Sequence, residues 1–324
     1  MEEILVSVLC ATYNQEQYIA DALQGFVDQK TDFPFEVIVH DDASTDRTAD
    51  IIREYEKKYP EIIKPIYQTE NQFSKNPGIV GYTMHQTAKG KYVAMCEGDD
   101  YWTDPYKLQK QISYMESHPE CSLCFTNGQC MEGGVMTGRR VIPWLKESEK
   151  AYKPGDADYD MGEMILLDYV PTASLVYKKD VMQYMPKLSP NSFSGDNFIR
   201  YFLTSQGYAH CIDEDTCVYR FGVPNSMSTE WKEDVKKKVT FLKKYVSLLD
   251  DMNAFTDYRY DAVIQNVKLR QFFVEGLLLK DYKQLRQKKY HDFYKKQGMV
   301  PYVKYLIKVY CPQAASVLQK LKQR

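Results

Sequence analysis

Four short apolar runs, separated by segments of helical period, fill the first hundred residues and constrain the fold more than any other feature of the chain. The first run is "ILVSVLC" at 4–10. In the segment after it, Ile19, Ala22, Leu23, Phe26 and Val27 recur at the spacing of one helix face. "FEVIVH" (35–40) is a second strand, and "STDRTADIIREYEKKYP" a second helix, with Ser44 or Thr45 placed to cap it and Pro60 to end it. "IIKPIYQ" (62–68) is a weaker third strand because Pro65 removes a ladder donor. A helix over Gly81–Lys89 closes at Gly90, and "KYVAMC" (91–96) is the fourth strand. Strands alternating with helices predict a mostly parallel sheet with right-handed crossovers. Ligands of such sheets bind beyond the carboxyl ends of the strands.

Those strand ends carry the polar residues. "ATYNQEQY" follows the first strand, "HDDASTD" the second and "EGDD" the fourth. A doubly wound sheet sets these ends side by side, so carboxylates distant in sequence share one cleft. Such a cleft repels itself unless a divalent cation or a hydrogen-bonding ligand compensates, and hard oxygen ligands suit Mg²⁺ or Mn²⁺ held with substrate phosphates. Helix capping is the competing explanation. Asp104, followed by Pro105 at the first helical position, fits a cap for a helix over 105–117. One carboxylate suffices there, which leaves Glu97, Asp99 and Asp100 unexplained, as Ser44 or Thr45 leaves Asp41 and Asp42.

Further along, residues 131–160 read as a loop or small insertion. "PTASLVYKKDV" and "AHCIDEDTCVYRF" each hold a strand, and "GDNFIRYFLTSQG" (195–207) is a helix closed by Gly207. From Glu230 onward the pattern is helical. The 44% hydrophobic and 27% charged content belongs to a globular chain. A formal charge of −2 gives no basic field for nucleic acid, and no such partner is expected. Eight cysteines lack a disulfide framework, and the C-x-x-C of Cys121 and Cys124 lies in an alternating strand pattern, so free thiols in a reducing compartment are expected rather than a zinc site. The N-terminus does not read as a signal peptide, and no window approaches a membrane span.

"VSVLCATYNQEQYIADALQGFVDQ", "FEVIVHDDASTDRT" and "AKGKYVAMCEGDDYWTDPYKLQKQ" together resemble the family 2 nucleotide-sugar glycosyltransferases of the GT-A fold, in particular bacterial enzymes of surface-polysaccharide assembly. The resemblance is strong over residues 4–125 and looser over 165–228. It implies a GT-A domain over 1–228, with a donor half (1–125) and an acceptor half (126–228), followed by a C-terminal helical region over 229–324.

By this resemblance Asp42, with Asp41 beside it, accepts from the uracil ring, Tyr13 lies against the base, and Ala11 stands where relatives carry a hydroxyl or a small residue. Asp99 matches the ribose contact and Asp100 the ligand of a Mn²⁺ or Mg²⁺ that bridges the diphosphate, with Glu97 in the preceding acidic position. Asp196, at the start of a late helix, matches the base that deprotonates the acceptor hydroxyl, which implies inversion at the anomeric carbon. Its competing role is an N-cap. Lys75 is the one cation in the loop where relatives place an Arg against the nucleotide. Arg220 would supply charge to the diphosphate, unless it forms a structural ion pair, because Gly222 stands where many relatives carry a His. Tyr101 and Trp102 would floor the sugar site or pack under the next helix.

The implied partners are a nucleotide-sugar, UDP by default, and a glycan or lipid-linked glycan acceptor, in a cytoplasmic setting. From Lys283 to Arg324 eleven Lys and Arg face one acidic residue, Asp292. The basic amphipathic end predicts either peripheral contact with the inner face of the cell membrane or a helical cap, and a homodimer stays open. Two other functions fit the fold class less well. A sugar nucleotidyltransferase would want glycines and cations after the first strand, and a non-catalytic glycan- or nucleotide-binding protein would have no need of Asp99, Asp100 and Asp196.

Overall fold

The computed structural model describes residues 3–143, 148–192, 195–224 and 234–313. Contacts divide the chain into two compact units, residues 1–188 with 194–229, and residues 189–193 with 230–324.

The first unit opens with β1 (Val6–Thr12), α1 (Ile19–Val27), β2 (Phe35–Asp41), α2 (Thr48–Lys58), β3 (Ile63–Tyr67), α3 (Pro77–Thr87) and β4 (Tyr92–Met95). These strands lie in the order β3-β2-β1-β4, all parallel. β1 is buried on both faces along nearly its whole length, as a strand covered by helices on each side must be. Pro65 is tolerated because β3 is the edge strand. α3 starts four residues earlier than its hydrophobic spacing suggests, because the Asn76 side chain accepts from the Gly78 amide and caps it. α2 is capped by neither Ser44 nor Thr45. Asp46 Oδ1 accepts from the Thr48 amide at 2.9 Å instead.

The remaining strands turn the sheet mixed. They are β5 (Tyr101–Trp102), β6 (Cys121–Glu132), β7 (Val135–Arg140), β8 (Ala157–Tyr159), β9 (Val176–Lys178) and β10 (Tyr208–Phe221), interleaved with α4 (Lys107–Ser117), α5 (Met161–Leu167) and α6 (Asp196–Gln206). The order continues β4-β9-β6-β10-β5, with β6 and β10 parallel and β9 antiparallel to both its neighbours. Because β9 is antiparallel to both β4 and β6, β6 and β10 run in the direction of the first four strands, so the expected mostly parallel sheet holds, with β9 and the two-residue β5 as the antiparallel members of this path. The 131–160 segment holds the β6–β7 hairpin and β8, and Arg140 pins it by salt bridges to Asp213 and Asp215, each 2.7 Å. The Cys121–Cys124 pair lies in β6 as free, buried thiols. Gly207 is required by closeness, since a Cβ there would meet the Glu120 carbonyl at 2.3 Å.

The second unit is helical: α7 (Val235–Phe255), α8 (Asp261–Leu278), α9 (Tyr282–Leu285), α10 (Lys288–Lys296) and α11 (Met299–Tyr310). Ser189 joins it by donating its amide to Asp251 at 2.8 Å. Phe273, Leu285, Tyr290, Tyr305 and Val309 form its core. The expected tail helix runs past Gln313, and residues 314–324 lie outside the described ones. Among the described residues no helix is long and apolar enough to cross a membrane.

Candidate active site

Parallel pairing aligns the carboxyl ends of β1, β2 and β4. Thr12 stands opposite Asp41, and the loop after β4 continues along β1 by donating the Cys96 amide to the Leu9 carbonyl (3.1 Å) and the Gly98 amide to the Ala11 carbonyl (3.0 Å). Gly98 is the residue that allows this approach, because a Cβ would sit 2.6 Å from Gln15 Oε1 and 2.8 Å from Thr12 Oγ1.

The two loops after β1 and β2 are laced together. Asn14, at φ 52°, accepts from the Thr45 amide at 2.8 Å and donates its own amide to Ser44 Oγ at 2.9 Å. Gln15 donates to Thr48 Oγ1, and Glu16 and Asp46 each accept from a backbone amide of the other loop. The residues that look like isolated caps in the sequence thus join "TYN" to "DDASTD". Tyr13 projects from this junction with 40% of its surface exposed.

The adjacent Asp41 and Asp42 are both buried and have different surroundings. Asp42 Oδ1 accepts from the Gln72 amide (2.8 Å) and Oδ2 from the Phe73 amide (2.9 Å), which pins the loop after β3. Among the described residues Asp41 Oδ1 is buried with no hydrogen-bond partner, and burial, opposed by Ser44, raises its carboxyl above the usual range. His40, just before it, is held neutral chiefly by burial.

Three carboxylates follow β4. Burial and then the Asp99 charge hold the buried Asp100 well above the usual range, although its Oδ1 accepts from the Arg220 amide at 2.8 Å. Burial also raises Asp99, while hydrogen bonds, Arg220 and Gln15 hold it back. Glu97 is open to solvent yet ringed by protein, as on the wall of a cleft. Desolvation, then Asp99 and Asp196, push it up to about 8. Asp196 therefore reaches the acidic loop through space from the start of α6. Gly195 occupies the N-cap position there and Asp196 is the first helical residue, accepting from the Asn197 amide at 2.9 Å and from Thr172 Oγ1 at 3.3 Å. Tyr169, which the sequence does not single out, faces the same charges. Burial and then Tyr219, Asp100, Asp196 and Glu97 keep its hydroxyl protonated.

Two cations assigned to the donor have other partners. The Arg220 guanidinium pairs with Asp21, donates to the Asp99 carbonyl at 2.8 Å, and lies 4.5 Å from the Tyr101 ring centroid and 5.2 Å from that of Tyr18. The structural ion pair weighed against a diphosphate contact is thus present. Lys75 is paired with Glu70 on an exposed loop, which is the solvated alternative. Gly222 sits at φ 79°, a left-handed position that favours glycine over a His. Trp102 is a packing residue. It is buried, donates Nε1 to the Ala173 carbonyl at 2.7 Å and meets Phe26 edge-on. Beneath it lies a buried lysine that no motif reveals. Lys107 Nζ donates to Gln111 Oε1 at 2.7 Å and sits 4.3 Å from the Trp102 ring centroid, its ammonium lowered by burial to about 8.

With this geometry in hand, the comparisons with known proteins are specific. The sequence model of glycosyl transferase family 2 matches residues 7–184. An uncharacterized protein of Mycobacterium tuberculosis is 38% identical over 180 residues, 54% of this chain and 47% of its own, so the chain spans about half the length of that relative. A Bacillus subtilis protein named for teichuronic acid biosynthesis, glycosyltransferase TuaG, is 28% identical over 265 residues, covering 80% of this chain and 96% of its own. Among solved structures, residues 1–349 of Staphylococcus aureus TarS in complex with UDP-GlcNAc superpose with a TM-score of 0.62 at 19% identity, over 94% of this chain and 82% of that one. The mannosyltransferase PcManGT of Pyrobaculum calidifontis, in complex with GDP-Man and Mn²⁺, gives 0.51 at 17%, over 94% and 86%. The fold is the GT-A fold of these neighbours. The family model covers more than half of the sequence, including the acidic ends of β2 and β4, and on that match the chain belongs to glycosyl transferase family 2.

Proposed function

We propose that this chain is a cytoplasmic, inverting glycosyltransferase that moves a sugar from a nucleotide-sugar to a hydroxyl of a glycan or lipid-linked glycan in cell-surface polysaccharide synthesis. The observation that carries the proposal is the acidic loop after β4 with the Asp196 carboxylate acting on it from α6. Charge of one sign is gathered where a donor diphosphate and its counter-ion would lie, and a base stands apart from it.

In this reading Asp196 takes the proton from the acceptor hydroxyl as the oxygen attacks the anomeric carbon, a role worth ~10²–10⁴ in rate. Attack opposite the departing nucleoside diphosphate inverts that carbon. Asp41 is the better candidate of its pair for the base, because a buried acceptor without a partner costs free energy until an N–H reaches it. Tyr13 has the exposed ring to stack on that base, and Asp99 is assigned to the ribose. Ala11 has no group to donate, and its part is the carbonyl that anchors Gly98.

The donor set fits a divalent cation, since Glu97, Asp99 and Asp100 are oxygen ligands crowded by like charge. Among the described residues no three such side chains form a cage, so Asp100 would hold Mn²⁺ or Mg²⁺ together with phosphate oxygens. The cation would supply Lewis-acid stabilisation of the leaving diphosphate.

The neighbour crystallised with UDP-GlcNAc makes UDP the first nucleotide to test. Calorimetric titration of the wild type and Asp100→Ala with UDP, with and without Mn²⁺, is the decisive experiment. Affinity that falls at least tenfold on losing either Mn²⁺ or Asp100 supports the reading. No binding of UDP, dTDP or GDP would sink the donor-site assignment.

A further inference from the structure

We infer that the second unit carries a membrane-docking face, built from α10 and α11, whose partner is the surface of an anionic phospholipid bilayer. The inference stands apart from the donor site and does not depend on it.

Residues 283–313 hold Lys283, Arg286, Lys288, Lys289, Lys295, Lys296, Lys304 and Lys308 against the single acidic Asp292. All eight cations are exposed, and no carboxylate pairs with any of them among the described residues. Eight cations against one carboxylate over thirty-one residues make a local excess of positive charge on these helices, and it is complementary to a negative surface.

Charge alone would suit any polyanion, and α11 adds what a soluble polyanion would not use. Its buried face, with Tyr305 and Val309, belongs to the core of the unit. Its opposite face carries Val300, Val303, Lys304, Ile307 and Lys308. Val300 is 65% exposed, Val303 43%, and Met299 at the helix start 77%. Leu306, Ile307, Tyr310 and Cys311 line an apolar hollow at the other end of the same helix. Apolar side chains left in water between lysines are the pattern of a helix that lies in the headgroup region, apolar groups down and ammonium groups to the phosphates. Lysine near an anionic bilayer contributes additively, so the effect of removing two is measurable.

The test is sedimentation of the full chain with vesicles of phosphatidylcholine alone or mixed with phosphatidylglycerol. Binding is expected on the mixed vesicles only, weakening with salt. Lys304→Glu with Lys308→Glu should weaken it about tenfold or more. Val300→Ser with Val303→Ser should also weaken it, and both pairs, being exposed, should leave Tm and UDP affinity unchanged. Equal sedimentation with neutral vesicles, or none with mixed ones, would overturn the inference. So would binding that heparin competes away and the valine variants do not alter, which would mark the face as a polyanion site. Self-association abolished by the valine variants, without vesicle binding, would assign the face to a second copy of the chain.

Discussion

Asp100 and Asp196 differ by environment more than by chemistry. Asp196 stands at a helix N-terminus with two short-range donors, whereas Asp100 is buried beside Asp99. Replacing Asp196 by Asn should lower kcat by ~10²–10⁴ and leave UDP affinity unchanged by calorimetry. Equal activity of this variant would remove the base assignment. A carboxyl whose native pKa is raised binds its proton more tightly when folded. The stability this gives is complete below the unfolded range, ~4, and is lost as pH rises through the native value. For Glu97 that value is about 8, and Asp100 is displaced in the same direction. Without added cation, Asp100→Asn should therefore gain Tm over the wild type, and gain more as pH is raised from 5 to 8. A constant difference across that range would contradict the raised carboxyl. Sequence spacing revealed Glu97, Asp99 and Asp100 because they fall just after an apolar strand, whereas Asp196 was found by resemblance. It could not divide the work between neighbours such as Asp41 and Asp42, since adjacent side chains leave a strand end in different directions.

At the scale of elements, loops are held by side chains of other loops. Asp42 holds the segment after β3 through two backbone amides, so Asp42→Ala should cost about 1–3 kcal/mol and expose residues 70–75 to limited proteolysis. Asp41→Asn should leave that loop protected and lower UDP affinity at least tenfold; the reverse pattern would return base recognition to Asp42. The four parallel strands were legible because helical and strand periods alternate cleanly over residues 4–96. The antiparallel placement of β9 was not, because a three-residue strand has no period to read, and its neighbours β4 and β6 lie far from it in sequence. Charges were legible while their partners were not. Arg220 pairs with Asp21 across almost two hundred residues, and no local pattern announces that.

For the whole molecule, every residue assigned to the site lies in the first unit, and the second has its own aromatic core. Phe273→Ala, which removes the ring packed against Tyr290, Tyr294 and Tyr305, should cost about 3–5 kcal/mol in the helical unit. UDP affinity should stay within twofold, and calorimetric scanning should show the lower transition moving alone. Loss of nucleotide binding in step with that transition would show that the units fold as one. Residues after 230 read as helical from composition and spacing. What they do was not legible, because no motif there matches a known site and the cue is a charge imbalance rather than a constellation.

The hold of Arg220 on the acidic loop sets a limit on how this chain can be cut and recombined. Its amide fixes Asp100, and its guanidinium fixes the Asp99 carbonyl and Asp21. The shape of the acidic loop after β4 is therefore set partly by β10, far along the sequence. A chain ended at residue 184, where the family match stops, would keep every acidic residue of the loop and lose the residue that aims them. A chimera joined near residue 125 would inherit the same fault unless its new β10 brought an arginine and the graft kept Asp21. The smallest transplantable part is not a stretch of sequence but a spatial triangle of α1, the loop after β4, and β10.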